Sequence, residues 1–403
     1  MTNQAAKTES NESRRVAFAI GAYPPSIGGA QSYAQRLAHE LAAQGQDVTV
    51  FTQWRTTRTD FVAAATRTGS LPPRRECDGP VSVQEIGLVG EQRRDQLMRR
   101  AYLPLRSTAA SYFAGRMEPL QGDFDSVHLI RVGREHLGLA AQRLAQAQQV
   151  PLILTALHHP RWSRWWWPDP VWRRLYRQAD LVIALTQVEA ELLADLGVAP
   201  ERIEVLGVGP HLVSDQERPT GVSARSRFVL FLGQQYPYKR LDLAIEAFDA
   251  IATTHPDLRL VVAGPPHPVG SQSLESARNR DRIDVLGAVS ETQKSWLLTH
   301  AAALVFPSEQ ESFGGIIVEA AVSRCPVVAG ANRQVSEVVS ALDWGTTTDG
   351  SGAELATAID AVLKAPPSEA EGSRAAQQAT ARYSWSALAG QYDHRVSGLV
   401  VAR

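Results

Sequence analysis

Residues 15–52 read RVAFAIGAYPPSIGGAQSYAQRLAHELAAQGQDVTVFT. The opening RVAFAI is a short apolar run with the look of a buried strand. A Pro/Gly loop follows, then a helix predicted from Ala30 to about Gln44. Its apolar residues Tyr33, Ala34, Leu37, Ala38, Leu41 and Ala42 recur at spacings of three and four, and Gly45 sits where a helix-ending glycine belongs. DVTVFT then reads as a second strand. Strand, glycine loop, helix and strand within 38 residues make a βαβ unit, and therefore a parallel sheet.

The alternation continues along the chain. SVHLIRV, PLILTAL and ADLVIALT are strand candidates, separated or followed by the helical EHLGLAAQRLAQAQQ and QVEAELLADLG. A polar connector at 209–226 precedes a second series that starts with RFVLFLG and ends in a terminal helix. The expected division is a disordered tail at 1–14, a Rossmann-like domain at 15–208, a linker at 209–226, a second Rossmann-like domain at 227–383, and a helix at 384–403 packing back toward the first domain. Two doubly wound α/β halves predict a ligand in the cleft between them, at the carboxyl ends of the strands.

Composition agrees with a globular protein of two domains: 403 residues, 44% hydrophobic, 21% charged, formal net charge −1. Such a balance argues against a dedicated nucleic-acid binder. Two cysteines, Cys77 and Cys325, without CxxC or histidine-rich company, argue against a disulfide framework or a zinc site and suit a reducing cytoplasm. The amino-terminal stretch lacks the apolar core of a signal peptide, and no run reaches the length of a membrane span. A cytoplasmic protein is expected, with peripheral contact at the inner membrane face left open.

The second half carries SEQESFGGIIVEA, Ser308–Ala320, with Glu311 and Glu319 eight positions apart around a glycine pair. Gly314 and Gly315 precede a predicted helix whose first N–H groups have no intrahelical partner, a setting that suits a phosphate. Carboxylates on both flanks would accept from hydroxyl groups, and a molecule with hydroxyls on both sides of a pyrophosphate is a sugar nucleotide. The plainer reading also stands: acidic residues early in a helix favour its dipole, and glycine pairs mark ordinary turns.

PSEQESFGGIIVEAAVSRCPVVAG resembles the Glu-x7-Glu signature of the retaining GT-B glycosyltransferases of family 4. FLGQQYPYKRLDLAIEAF, YPPSIGGAQSYAQRLAHELAAQGQDVTVFT, ADLVIALTQVEAELLADLGVAPERIEVLGVG and RYSWSALAGQY are similar to further segments of that family, in the same order, and the match is poorest from Gly69 to Gly122. The resemblance implies a GT-B fold and a nucleotide-sugar donor. It implies Glu311 on the donor sugar, Glu319 on the ribose, and backbone amides around Phe313, Gly314, Gly315 and Ile316 on the pyrophosphate. Lys239 matches the lysine that neutralises the diphosphate leaving group. Gly233 opens that loop. Gln234 stands where many relatives carry arginine, leaving Arg240 as the cation that could swing in. Gly264 and Gly287 are expected along the nucleotide through their backbones. In the first domain Gly28 and Gly29 would touch donor phosphate or acceptor, with Gln31 and Tyr33 beside them. One of His158 and His159 matches a functional histidine; which one stays open. No metal and no separate cofactor is expected.

Two other segments draw attention. Asp123 and Asp125 have the spacing of a metal-binding pair, but they precede a strand and so face away from the expected cleft; an ordinary turn is the better reading. Five of nine tryptophans fall between Trp162 and Trp172, interleaved with arginines. Trp162, Trp165, Trp166 and Trp167 are candidates for acceptor recognition, whether glycan, lipid-linked or small natural product, or for a membrane interface. A locally packed loop would explain them too, and the arginine-rich EQRRDQLMRRAYLPLRS could extend the surface or be a solvated helix face.

The leading expectation is a retaining, metal-independent glycosyl transfer in which the departing phosphate oxygen takes the acceptor's proton on the same face. A sugar-nucleotide epimerase on the same plan would need an acid/base pair that is not evident. A noncatalytic glycan- or partner-binding homologue is opposed by the presence of Glu311, Glu319 and Lys239. A nicotinamide oxidoreductase is opposed by the lack of GxGxxG in either glycine loop.

Overall fold

Arg15–Ala22 form the first strand, β1, and every side chain after Arg15 is buried. Such a strand can only lie inside a sheet covered on both faces, which is the parallel-sheet arrangement. The computed structural model describes residues 13–55, 63, 65–69, 75–157, 170–223 and 225–401. Its contacts form two compact units, one from residues 13–157, 170–183 and 389–401, the other from 184–388.

In the first unit, β1 is joined by β2 (Asp47–Trp54), β3 (Arg75–Asp78), β4 (Val81–Glu85), β5 (Ser126–Ile130), β6 (Leu152–Thr155) and β7 (Leu181–Ala184). These strands of one sheet run in the order β7-β6-β5-β1-β2-β4-β3. All pair in parallel except β3 with β4. Helix α1 (Gly29–Ala43) makes the first crossover, burying the stripe Tyr33, Ala34, Leu37, Ala38 and Leu41. It ends as its glycine foretells: the Gly45 N–H donates to the Ala42 carbonyl and the Gln46 N–H to the Leu41 carbonyl, each at 3.0 Å.

The second unit holds a six-stranded parallel sheet: β8 (Arg227–Leu232), β9 (Leu258–Ala263), β10 (Ile283–Gly287), β11 (Ala303–Phe306), β12 (Val327–Ala329) and β13 (Thr346–Thr347), ordered β10-β9-β8-β11-β12-β13. The chain enters at β8, moves outward to β10, and returns to the other side of β8 at β11. That reversal separates the loops after β8 and β11 and opens a crevice at their carboxyl ends. Below it, Phe248, Leu260, Val305 and Ile359 belong to a hydrophobic core shared by the sheet and the helices that cover it.

The contacts group residues 184–208 with the second unit, while the strand Ile203–Val205 belongs to the same sheet as β1, as a first domain ending at 208 expects. The helix Gln187–Asp195 has its start held by Glu337, whose carboxylate accepts from the Gln187 N–H at 2.7 Å and the Val188 N–H at 3.0 Å. The terminal helix Trp385–Val401 is split, its residues from Ala389 belonging to the first unit.

Asp125 accepts from the Arg15 N–H at 2.8 Å, and Asp123 lies 3.9 Å from the Arg15 guanidinium, at the amino ends of β1 and β5. They form a turn anchored to the first strand. Both cysteines are free: Cys77 is exposed on β3, and Cys325 is buried, its thiol pushed up to about 12 by burial.

Candidate active site

The loop after β8 and the loop after β11 are tied to each other by backbone. The Glu309 N–H donates to the Tyr238 carbonyl at 2.9 Å, and the Asn332 side-chain amide donates to the Glu309 carbonyl at 2.9 Å. The first of these links sets the two loops side by side at the crevice; the second ties the loop after β11 to the loop after β12. Lys239, from the first loop, forms an ion pair with Glu311 from the second, both side chains largely buried. The ammonium also lies 5.5 Å from the Tyr238 ring centre and 5.6 Å from that of Phe306, within cation–π range. Burial raises the Tyr238 pKa, with Lys239 pulling against the shift.

Gly314 has φ +86°, left-handed backbone that glycine adopts without strain. It is the cap residue of α2 (Gly315–Val322) and offers no side-chain hydrogen bond to the helix start. Helix geometry leaves the amides of Gly315 and Ile316 without intrahelical acceptors, so this end is dressed by backbone N–H groups alone. Glu319 lies one turn further on, largely buried. Its Oε1 accepts from the His211 N–H at 2.9 Å and from Lys294 at 3.0 Å. Burial raises the Glu319 pKa, while Lys294 and the His211 amide work against the rise.

Three glycines line the neighbouring strand ends. The Gly233 N–H donates to the Ala263 carbonyl at 2.9 Å, and the Gly264 N–H to the Gly287 carbonyl at 2.6 Å. A Cβ on Gly264 would come 1.9 Å from the Gly233 carbonyl oxygen, so only glycine fits between these loops.

The structure therefore gathers Lys239, Glu311, Gly314, Gly315, Ile316 and Glu319 around one helix start, with Gly233, Gly264 and Gly287 on adjoining strand ends. Gln234 is half-buried and its side chain makes no hydrogen bond among the described residues. Arg240 is not poised to replace the missing arginine: its guanidinium is held by Asp242 at 2.9 Å and by Glu309, which raise its pKa. Phe313 reaches the site with its backbone only, because its ring packs edge-on against Tyr383 at 5.4 Å. Tyr33 is corrected as an acceptor contact; at 3% exposure it belongs to the core stripe of α1. Gly28, Gly29 and Gln31 do sit at that helix start, with a Cβ on Gly28 only 2.3 Å from the Gln31 Oε1. His158, His159, Trp162, Trp165, Trp166 and Trp167 lie outside the described residues. Lys294 and His211 are site residues that sequence reasoning did not find.

Residues 28–209 match the model of the glycosyl transferase 4-like domain, and residues 214–379 that of glycosyl transferases group 1. A D-inositol 3-phosphate glycosyltransferase from Acidothermus cellulolyticus is 30% identical over 93% of this chain and 84% of its own length. This protein belongs to glycosyltransferase family 4. It is a glycosyltransferase, an enzyme of class EC 2.4. An MMP alpha-(1->4)-mannosyltransferase from Mycolicibacterium hassiacum is 27% identical, covering 90% of this chain and 93% of that one. Among solved structures, sucrose-phosphate synthase from Thermosynechococcus elongatus superposes with a TM-score of 0.70 at 18% identity, over 97% of this chain and all (100%) of its own. Anabaena HepE in complex with UDP-glucose gives 0.68 at 17% identity, over 96% and 100%. The fold of the glycosyltransferase is GT-B, two α/β domains on parallel sheets.

Proposed function

We propose that this glycosyltransferase moves a sugar from a nucleoside-diphosphate donor to an acceptor hydroxyl, retaining the anomeric configuration and needing no metal. The observation that carries this reading is the helix start at Gly315, bare of side-chain caps, between the Lys239–Glu311 pair and the buried Glu319. Backbone amides and the helix dipole suit the diphosphate. Lys239 offsets the charge that grows as the glycosidic bond breaks. Glu311 accepts from the sugar's hydroxyls, and Glu319 from the ribose. The leaving phosphate oxygen takes the proton of the incoming hydroxyl on the same face, so no enzyme carboxylate need attack carbon. A structural neighbour solved with UDP-glucose supports a nucleotide sugar as the donor. The relatives and neighbours named above are transferases and synthases, which favours transfer over epimerisation.

On the acceptor side the reading relies on Gly28, Gly29 and Gln31, with His158 or His159 and the tryptophan-rich segment as further candidates. No helix among the described residues is long and apolar enough to cross a membrane. A cytoplasmic enzyme touching a membrane surface is supported by Leu97, Leu103 and Leu105, 65%, 43% and 57% exposed, close in sequence to the exposed Arg93, Arg94 and Arg100. Asp95 is turned inward, where Tyr112 donates to it at 2.8 Å, and adds no charge to that surface. Co-sedimentation with phosphatidylglycerol vesicles, but not phosphatidylcholine ones, is the expected result.

A panel of UDP-, GDP- and dTDP-sugars tested by thermal shift identifies the donor, because a ligand binding only the native state raises Tm. NMR of the product then gives the anomer, and turnover is expected to persist in EDTA. An inverted product, or activity lost to EDTA and restored by Mg²⁺, would overturn the corresponding part of the reading.

A further inference from the structure

Glu319 and Lys294, 25 residues apart in sequence, are buried together at 8% and 9% exposure and join two helices. Both donors to Glu319, the Lys294 ammonium and the His211 N–H, converge on Oε1; Oε2 has no hydrogen-bonding partner among the described residues. The two carboxylate oxygens therefore have separate occupations, one structural and one open. Lys294 lies in turn 2.6 Å from the half-exposed Glu291, which is 3.6 Å from the His211 imidazole. Among the described residues, the charged and titratable groups set around Glu319 are Lys294 and Glu291 from the helix Glu291–His300 and His211 from the connector.

We propose that Lys294 is the positioning residue for Glu319: from inside the unit it occupies Oε1 and fixes the rotation of the carboxylate, leaving Oε2 to accept from the donor's ribose hydroxyls. The inference rests on the ribose role given to Glu319 above. A buried ion pair is a weak stabilising device, since well-packed apolar replacements often serve as well. Its worth here is chemical. A carboxylate is an acceptor on both oxygens, whereas a protonated carboxyl presents a hydroxyl donor. Burial alone drives Glu319 toward the protonated form. Lys294 opposes that drive and also fixes the rotation of the group, so the free oxygen keeps one direction. Glu291 shares the ammonium from the solvent side and tempers it.

The test is calorimetric binding of UDP, GDP and ADP to the full chain between about pH 6 and 8.5, the range that a buried glutamate reaches when it has no counter-charge. Wild-type affinity for the preferred nucleotide is expected to be flat over that range. Glu319→Gln should weaken it roughly 10-fold at every pH. Lys294→Met should weaken it by a similar factor at low pH and recover as pH rises, and Lys294→Arg should retain most of the affinity. The Lys294→Met/Glu319→Gln double variant, which leaves no unpaired charge behind, should bind as Glu319→Gln does. Wild-type affinity with a flat profile in Lys294→Met would overturn the positioning role. So would a double variant weaker than Glu319→Gln, because Lys294 would then touch the nucleotide itself; this comparison holds even where Lys294→Met alone does not fold. If Glu319→Gln binds like wild type, or wild type binds none of the three nucleotides, the ribose reading fails, and the proposal with it.

Discussion

Lys239 and Glu311 neutralise each other as an ion pair. On the function proposed above, a diphosphate would share the ammonium and the sugar hydroxyls would share the carboxylate. Removing either partner leaves a partly buried charge alone. Glu311→Ala should lower kcat by roughly 100-fold or more while leaving the circular dichroism spectrum unchanged. Near-normal turnover in steady-state kinetics would remove Glu311 from the site. Since the two side chains act as one unit, the Lys239→Ala/Glu311→Ala double variant should lose much less than the product of the single losses. Gln234 marks the opposite situation, an uncharged side chain at the position where the family resemblance implies arginine. Gln234→Arg is expected to tighten nucleoside-diphosphate binding by about 10-fold at low salt, the gain shrinking as ionic strength rises. Unchanged affinity in titration calorimetry would show that position 234 lies out of reach of the diphosphate.

Among elements, the loops after β8 and β9 approach so closely that Gly264 has no room for a side chain. Gly264→Ala should cost about 3 kcal/mol or more, since neither backbone can yield without breaking sheet pairing. Urea denaturation measures the loss, and a stable Gly264→Ala protein with intact donor binding would refute the packing argument. Elements like these strands were legible because a buried parallel strand is a dense run of β-formers bounded by glycine. The helices Arg333–Leu342, Gly352–Lys364 and Glu369–Tyr383 went unread. They are alanine- and polar-rich and lie beyond the last strong strand. The β3–β4 hairpin, Arg75–Asp78 and Val81–Glu85, falls in the stretch of poorest family resemblance. Within the site, Glu311, Glu319 and Lys239 announce themselves through spacing around glycines. Lys294 does not, because its meaning comes from a contact on another helix. Tyr33 is the reverse case: periodicity places it on the apolar stripe of α1, while nearness to the glycine loop suggests a contact that its burial denies.

Across the molecule, stability against acid should be limited by the first unit. His128 lies fully buried on β5, its Nε2 2.7 Å from the Thr155 hydroxyl and its ring stacked on Tyr392 of the terminal helix at 5.1 Å. His136 is equally buried, 2.8 Å from both the Tyr102 hydroxyl and the Gln53 amide. Burial depresses them to about 3 and about 4, from the 6.5 of a free imidazole. The unfolded chain therefore binds protons that the folded one refuses. Stability from these residues is complete above pH 6.5 and is lost as pH falls through the window down to about 4 and then 3. Each contributes roughly 1.4 kcal/mol per pH unit across its window. Urea midpoints measured between about pH 7.5 and 4.5 should fall steeply, and His136→Gln should flatten the slope. A midpoint independent of pH would contradict the buried neutral state.

The unequal setting of the two thiols has a practical side. Cys325 is buried with its thiol pushed up to about 12, whereas Cys77 stands exposed on β3. A maleimide fluorophore at neutral pH should therefore attach at one place without any engineering, because alkylation follows access and thiolate content. The natural chain then carries a single optical reporter in its amino-terminal half, ready for watching how that half responds when nucleotide is added.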